Sequence, residues 1–291
     1  MRPTSLQKAR FKIKAAVGRL KPDVVTYTDL ATMLSRNRAR WDLANRLSVS
    51  DFLSFVCSNA PLRKVTLKFP HRTETRYIWD DTSVYQLAMS LRHNGYFSHH
   101  TAMSLHDLTD QLPKTIYINF EQSPKRWAGS DLEQSRIDLA FKRKPRVSRC
   151  VATYNNYQLR VLSGMYTGEM GVSDLEDSQG FPIRVTSIER TLIDIAVRPF
   201  YAGGVFEVLD AYRRAKPFVD IEKLVGMLRR LEYRYPFHQA IGCYMDKAGV
   251  YSKNDIAMLR EFGFDFDFYL TYQMSKPVYL EKWRLFVPHG F

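Results

Sequence analysis

The sequence predicts an α+β protein, with an N-terminal winged helix-turn-helix domain over residues 1–80 and a mixed α/β domain over residues 81–291. Three observations carry that prediction. Helical segments in tandem run into a pair of strand-like segments before residue 80. Between Tyr96 and Phe120 a short amphipathic helix delivers the chain onto a buried strand. The charge is also divided unevenly. Residues 1–80 hold 16 Lys plus Arg against 6 Asp plus Glu, and residues 81–291 hold the other 27 against 24.

The bulk properties are those of a globular chain. Its 291 residues are 45% hydrophobic and 25% charged, enough for two cores. No apolar run approaches the roughly 20 residues of a membrane helix, so no membrane partner is expected. Residues 1–20 are basic and amphipathic without a continuous apolar stretch, unlike a secretory signal, which points to the cytoplasm. Cys57, Cys150 and Cys243 are too widely spaced for a metal knuckle or a disulfide framework and read as idle thiols in a reducing compartment.

Residues 5–20 read as a helix with Leu6, Phe11, Ile13, Ala16, Val17 and Leu20 apolar, stopped by Pro22. Val24, Val25 and Tyr27 make a short extended piece. Thr28 is the expected cap of a second helix carrying Leu30, Ala31 and Leu34 on one face. After an Arg-rich break at 35–40, Trp41, Leu43, Ala44 and Leu47 resume helical spacing. Ser50 is the expected cap of a further helix over 51–59, closed by Pro61. Strand-like runs at 65–69 and 76–79 flank a polar turn at 71–75.

Such a helix–helix–hairpin arrangement offers polar side chains to a major groove and basic residues to a phosphate backbone. The candidate DNA contacts are Arg36, Arg38, Arg40 and Arg46, with Lys64, Lys68 and Arg72 from the hairpin. Residues 38–47 and 51–59 both fit the groove-reading helix. A basic domain beside a near-neutral one fits double-stranded DNA as the partner.

In the body, residues 81–92 read as a helix. Ser98 is the expected N-cap before Ala102, Leu105 and Leu108, with Pro113 ending that helix and Ile116–Phe120 following as a strand. A polar loop is expected at 123–133 and a strand at 137–141. The basic run at 142–149 suits either phosphate or solvent. Strands are expected at 157–162 and 181–186. Ser187 caps a helix striped by Ile188, Leu192, Ile195 and Ala196, with Arg190 and Asp194 in ion-pair reach. Gly203-Gly204 opens a helix to 214. Helices follow at 221–231 and 254–262, and an aromatic tail at 264–287 alternates as strands closing a sheet do.

No catalytic motif emerges. Phosphate-binding Gly-rich loops, a His-Glu-x-x-His pair and a nucleophile elbow are all missing, so no cofactor, metal or enzymatic activity is expected. His99 and His100 sit next to each other on a helix, which turns one ring toward solvent, and His106 shares a face with His99. Asp265, Asp267 and Glu281-Lys282 loosely suggest a nuclease centre, but a Glu and Lys adjacent on a strand point to opposite faces.

Ser98-His-His-Thr-Ala-Met-Ser-Leu-His-Asp-Leu-Thr-Asp-Gln-Leu-Pro113, the strand at Ile116-Tyr-Ile118, Val185-Thr-Ser-Ile-Glu-Arg-Thr-Leu-Ile-Asp194 and Gly203-Gly-Val-Phe-Glu-Val-Leu209 together resemble the AbiEi family of bacterial antitoxins. The resemblance spans nearly the whole chain. It implies a DNA-binding autorepressor of a type IV toxin–antitoxin operon, bound to inverted repeats in its own promoter. It also implies that the second domain is an antitoxin domain that counteracts a co-encoded nucleotidyltransferase toxin. A metal-dependent defence nuclease and a toxin-binding module without DNA affinity are the alternatives.

Overall fold

Side-chain caps fix where the N-terminal helices start. In the computed structural model, which describes residues 3–21, 24–124 and 132–291, α1 (Ser5–Lys8) leads into α2 (Arg10–Gly18). α3 (Tyr27–Asn37) begins at Thr26 rather than at the predicted Thr28. The Thr26 hydroxyl accepts from the Asp29 amide, and the Asp29 carboxylate accepts from the Thr26 amide at 2.8 Å. This reciprocal pairing satisfies two amides that no helical carbonyl reaches, which favours the earlier start. α4 (Val49–Asn59) likewise begins at Ser48, ahead of the predicted Ser50. Residues 38–47 are not helical. The Arg38 guanidinium holds them as a turn, donating to the carbonyl oxygens of Ala44 at 2.7 Å and Leu47 at 3.0 Å.

The hairpin that follows has two working faces. β1 (Leu62–Phe69) and β2 (Arg72–Trp79) pair antiparallel around Pro70-His71, a tighter turn than predicted because Thr73 and Thr75 continue the strand. Val25 adds a one-residue bridge to Tyr77. On one face, Leu62, Tyr77 and Trp79 join Ile13, Val17, Leu30, Phe52 and Val56 in a core under the helices. On the other face, Val65, Leu67, Phe69 and Ile78 pack into the body. The hairpin is therefore shared between two apolar clusters.

The body continues with α5 (Val84–Met89), β3 (Tyr96–Phe97), α6 (His99–Leu105), β4 (Thr115–Glu121), α7 (Gln134–Lys142), β5 (Val151–Tyr154), β6 (Tyr157–Gly164), β7 (Val172–Glu176) and β8 (Pro182–Thr186). The strands form a mixed six-stranded sheet in the order β5-β6-β4-β3-β8-β7, parallel at β6/β4 and β3/β8. Side chains alternate across its pleat. Ile116, Ile118, Leu159, Val161, Ile183 and Val185 face the hairpin and α5. The alternate positions, including Tyr96, Tyr117, Asn119, Arg160, Arg184 and Thr186, make the opposite face polar.

That polar face meets a helical layer of α8 (Ile188–Val197), α9 (Val205–Ala215), α10 (Ile221–Leu231), α11 (Phe237–Ala248) and α12 (Lys253–Arg260). These helices hold a separate apolar core built from Leu192, Ile195, Val208, Tyr212, Leu224 and Ile241. β9 (Phe268–Tyr269), β10 (Val278–Leu280) and β11 (Leu285–Val287) form a separate three-stranded sheet, so the aromatic tail does not close the main one. Its Trp283 nests on α11 at Gly242, where a Cβ would lie 2.2 Å from the indole ring.

Two further expectations change. Residues 137–141 belong to α7 rather than to a strand, because Ile137 and Phe141, four apart, both point into the core. The polar loop expected at 123–133 lies mostly outside the described residues. No helix among the described residues is long and apolar enough to cross a membrane. The architecture is mixed α+β.

Candidate functional site

The N-terminal cations are available to a partner to different degrees. Arg36 lies in the last turn of α3, Arg40 in the turn behind it and Arg46 just ahead of the α4 start. All three are exposed, and none makes an ion pair or side-chain hydrogen bond among the described residues. Lys64 and Lys68 project from the hairpin face that packs on the helices, beyond the part the helices cover, beside Thr66 and Thr73. Lys64 lies near enough to α4 to act on Cys57: burial raises that thiol, and the ammonium partly offsets it. The exposed side of α4 offers Ser50, Asp51, Ser54 and Ser58.

Arg38 and Arg72 are placed differently from the other five candidates. Arg38 is half-buried and committed to loop carbonyls. Arg72 projects from the body-facing side of the hairpin, over the Phe69 ring at 5.0 Å and against Glu74 at 2.6 Å. Glu74 also takes Arg76 at 2.7 Å and Arg92 at 3.3 Å, tying the hairpin to the segment after α5. Arg72 Nη2 lies 3.7 Å from Cys150 Sγ, which brings the basic run at 142–149 beside the hairpin tip. Within that run Lys142, Arg143, Lys144, Arg146 and Arg149 are exposed and without ion pairs among the described residues.

A second cluster lies between the polar sheet face and α8. Arg190, 5% exposed, donates from Nε to Asp194 at 2.9 Å and from Nη1 to the Met170 carbonyl at 2.7 Å and the Thr167 hydroxyl at 3.2 Å. Burial opposes the Arg190 charge, but the adjacent Asp194 carboxylate outweighs it and raises its pKa. Asn119 Nδ2 donates to the Tyr96 hydroxyl at 2.5 Å, and that hydroxyl donates to Glu121 at 3.3 Å. Burial acts to raise Glu121, yet hydrogen bonds from Thr167 and the Glu169 amide hold it below the ordinary value. Sequence spacing finds the Arg190–Asp194 pair but not its burial. Asn119, Thr167 and Arg198 escape it altogether; the one available signal is Tyr117 and Asn119 alternating with Ile116 and Ile118.

Both His99 and His100 are buried, so neither ring faces solvent as predicted. The chain turns at His99, where φ is 54°, and the Ser98 hydroxyl bonds to His99 Nδ1 at 2.8 Å instead of capping α6. Burial holds His99 well below an ordinary imidazole, with Arg198 and Arg190 acting the same way. His106 Nε2 bonds the Thr186 carbonyl at 2.7 Å. No group of three or more metal-binding side chains occurs among the described residues. Asp267 is held by Arg284 at 2.8 Å and Tyr279 at 2.7 Å, while Lys282 pairs with Asp246. All three cysteines are free, and burial raises the Cys243 thiol to about 12.

The chain shares the fold of a solved structure, that of the Rv2827c protein from Mycobacterium tuberculosis. They are 13% identical with a TM-score of 0.62, over 99% of this chain and 92% of that one. At that identity the likeness extends to the fold alone, which places the chain in the mixed α+β class. No family model and no curated protein matches the chain.

Proposed function

We propose that the chain is a DNA-binding transcriptional autorepressor whose residues 1–80 act as a winged helix-turn-helix. One observation carries this reading: Arg36, Arg40, Arg46, Lys64 and Lys68 are exposed, and unpaired among the described residues, around a helix–turn–helix–hairpin frame. In that frame α4 is the groove helix, entering by its N-terminus beside Arg46. The arginines of the α3–α4 turn and the hairpin lysines bind phosphate on either side. The basic run at 142–149, brought to the hairpin tip, extends the same positive surface onto the body. Arg38 and Arg72, engaged by loop carbonyls and by Glu74, support the surface rather than touching DNA.

The antitoxin half of the proposal rests on the family resemblance of the second-domain motifs. In that reading the body counteracts a co-encoded nucleotidyltransferase toxin, and the bound DNA is the operon's own promoter with its inverted repeats.

A gel shift on the upstream region tests the first half. Affinity is expected to fall steeply with salt as phosphate contacts release counterions. Changing Arg36, Arg40 and Arg46 together to Ala is expected to abolish the shift, and unchanged affinity would overturn the surface. Co-expression with the neighbouring gene tests the second half. Growth restored by the full chain, and equally by the triple variant, supports neutralisation through the body. Failure of the full chain to restore growth overturns it.

A further inference from the structure

The cleft between the sheet and α8 has the composition of a ligand site. A cavity of about 60 Å³ is lined by His99, Asn119, Thr167, Arg190, Asp194 and Arg198, among others. Its two lining guanidiniums differ in their partners. Asp194 matches Arg190, whereas the Arg198 guanidinium makes no ion pair or hydrogen bond among the described residues. Arg198 is half-buried, and a partly desolvated cation without an ion pair is stabilised by an anion brought to it.

His99 is the second observation. It is 5% exposed, lines the cavity, and sits at φ 54°, a left-handed conformation that costs free energy for a side chain of this size. Ser98 engages Nδ1, and Nε2 has no hydrogen-bond partner among the described residues; in the tautomer in which the Ser98 hydroxyl donates, Nε2 carries the ring proton. Tyr201 meets the ring edge-on at 5.2 Å and fixes its plane. The backbone also closes around the cleft. A Cβ at Gly164 would lie 2.8 Å from the Asn119 amide, and one at Gly171 would lie 2.8 Å from the Arg190 Cβ. Asn119 uses one amide hydrogen on Tyr96 and retains the other.

We propose that this cleft binds a small oxyanion, a phosphate or a carboxylate group, held by the Arg198 guanidinium, the His99 Nε2–H and the Asn119 amide. One lining cation without an ion pair suits a ligand that brings a negative charge. The cavity is far below the roughly 300 Å³ of a drug-sized pocket, which limits the ligand to a group of a few atoms. The site is separate from the proposed DNA surface and does not rest on that reading.

The probes are inorganic phosphate and sodium acetate, added to the full chain against sodium chloride at matched ionic strength. The readouts are the His99 ring nitrogen resonances and the thermal midpoint. At least one anion is expected to move both saturably, and whichever does so names the group. The response should persist in the Arg36→Ala, Arg40→Ala, Arg46→Ala triple variant, which removes three exposed cations away from the cleft. It should weaken roughly tenfold or more in Arg198→Met, the loss of a charged hydrogen bond. An unmoved His99 resonance in the wild-type chain overturns the proposal without any variant, and equal affinity in Arg198→Met overturns it as well.

Discussion

Two groups of arginines in this molecule serve opposite ends. In the first 80 residues, Arg36, Arg40 and Arg46 stand in solvent with no partner among the described residues. In the body, Arg190 is enclosed and bonded to Asp194, Thr167 and Met170, Arg184 pairs with Glu169, and Arg284 pairs with Asp267. A charge count treats these residues alike. What separates them is whether another group of the same chain already neutralises the cation. Arg38 and Arg72 cross the line, since both belong by sequence to the basic region and both are engaged internally. A cation free of internal partners can exchange its counterions for phosphate at little structural cost, whereas one that is buried and paired cannot.

The sharpest break of this contrast is Arg190→Met. It leaves the Asp194 carboxylate buried without its partner, which costs about 3–5 kcal/mol when a buried pair is broken from one side. Denaturant unfolding should register that loss as a lower midpoint. A loss below about 1 kcal/mol, the range of exposed pairs, would move Arg190 into the same class as Arg36.

Leu67→Ala tests the seam between the halves. Leu67 is fully buried on the hairpin face that packs into the body. Truncation at such a position costs about 2–5 kcal/mol. Because the hairpin belongs to both clusters, the variant should weaken the whole chain in one transition. An early, separate melting of the helical region alone would show that the seam does not couple them.

Legibility in the sequence followed the same division. Helices with one apolar stripe and a polar cap were readable, and the segment expected at 221–231 is α10 with Asp220 as its cap. α11 was invisible because Phe237, Ala240, Ile241, Tyr244 and Met245 are buried nearly all round, which erases the period. The strand expected at 137–141 failed for a related reason: five residues contain too little of a helical turn to separate the two periods. Among the site residues, exposure of Arg36 and Arg40 agrees with their position in a polar break. The carbonyl partners of Arg38 lie in a turn that spacing does not describe, and Cys150, beside Arg72, lies in a segment that spacing cannot bring to the hairpin.

Acid sensitivity should belong to the body. Burial holds His99, His100 and His238 below the ordinary imidazole value. The unfolded chain therefore takes up protons near pH 6.5 that the folded chain refuses, so stability is lost as pH falls below that value and not above it. At about pH 5.5 the loss is at most about 1.4 kcal/mol per histidine, one unit below the unfolded value. His99→Asn keeps a residue that tolerates positive φ while removing the titration. Its midpoint should fall less between about pH 7.5 and pH 5.5 than that of the parent chain, and an equal fall would remove His99 from the acid response.

The smallest effect on stability is expected where the functional effect is largest. Arg36→Ala, Arg40→Ala and Arg46→Ala, taken singly, remove no ion pair or side-chain hydrogen bond among the described residues. Each should shift unfolding by no more than about 0.5 kcal/mol, as surface changes do. If these side chains bind phosphate, each change should also reduce the slope of log affinity against log salt by about 1. Arg38→Ala should behave in the reverse way. It frees the carbonyls of Ala44 and Leu47 and lowers stability by about 1–3 kcal/mol. Its salt slope should stay at the parent value, because the guanidinium it removes is committed to the loop carbonyls. Equal salt slopes for Arg38→Ala and Arg40→Ala would erase the distinction between partnered and free cations within the basic region itself.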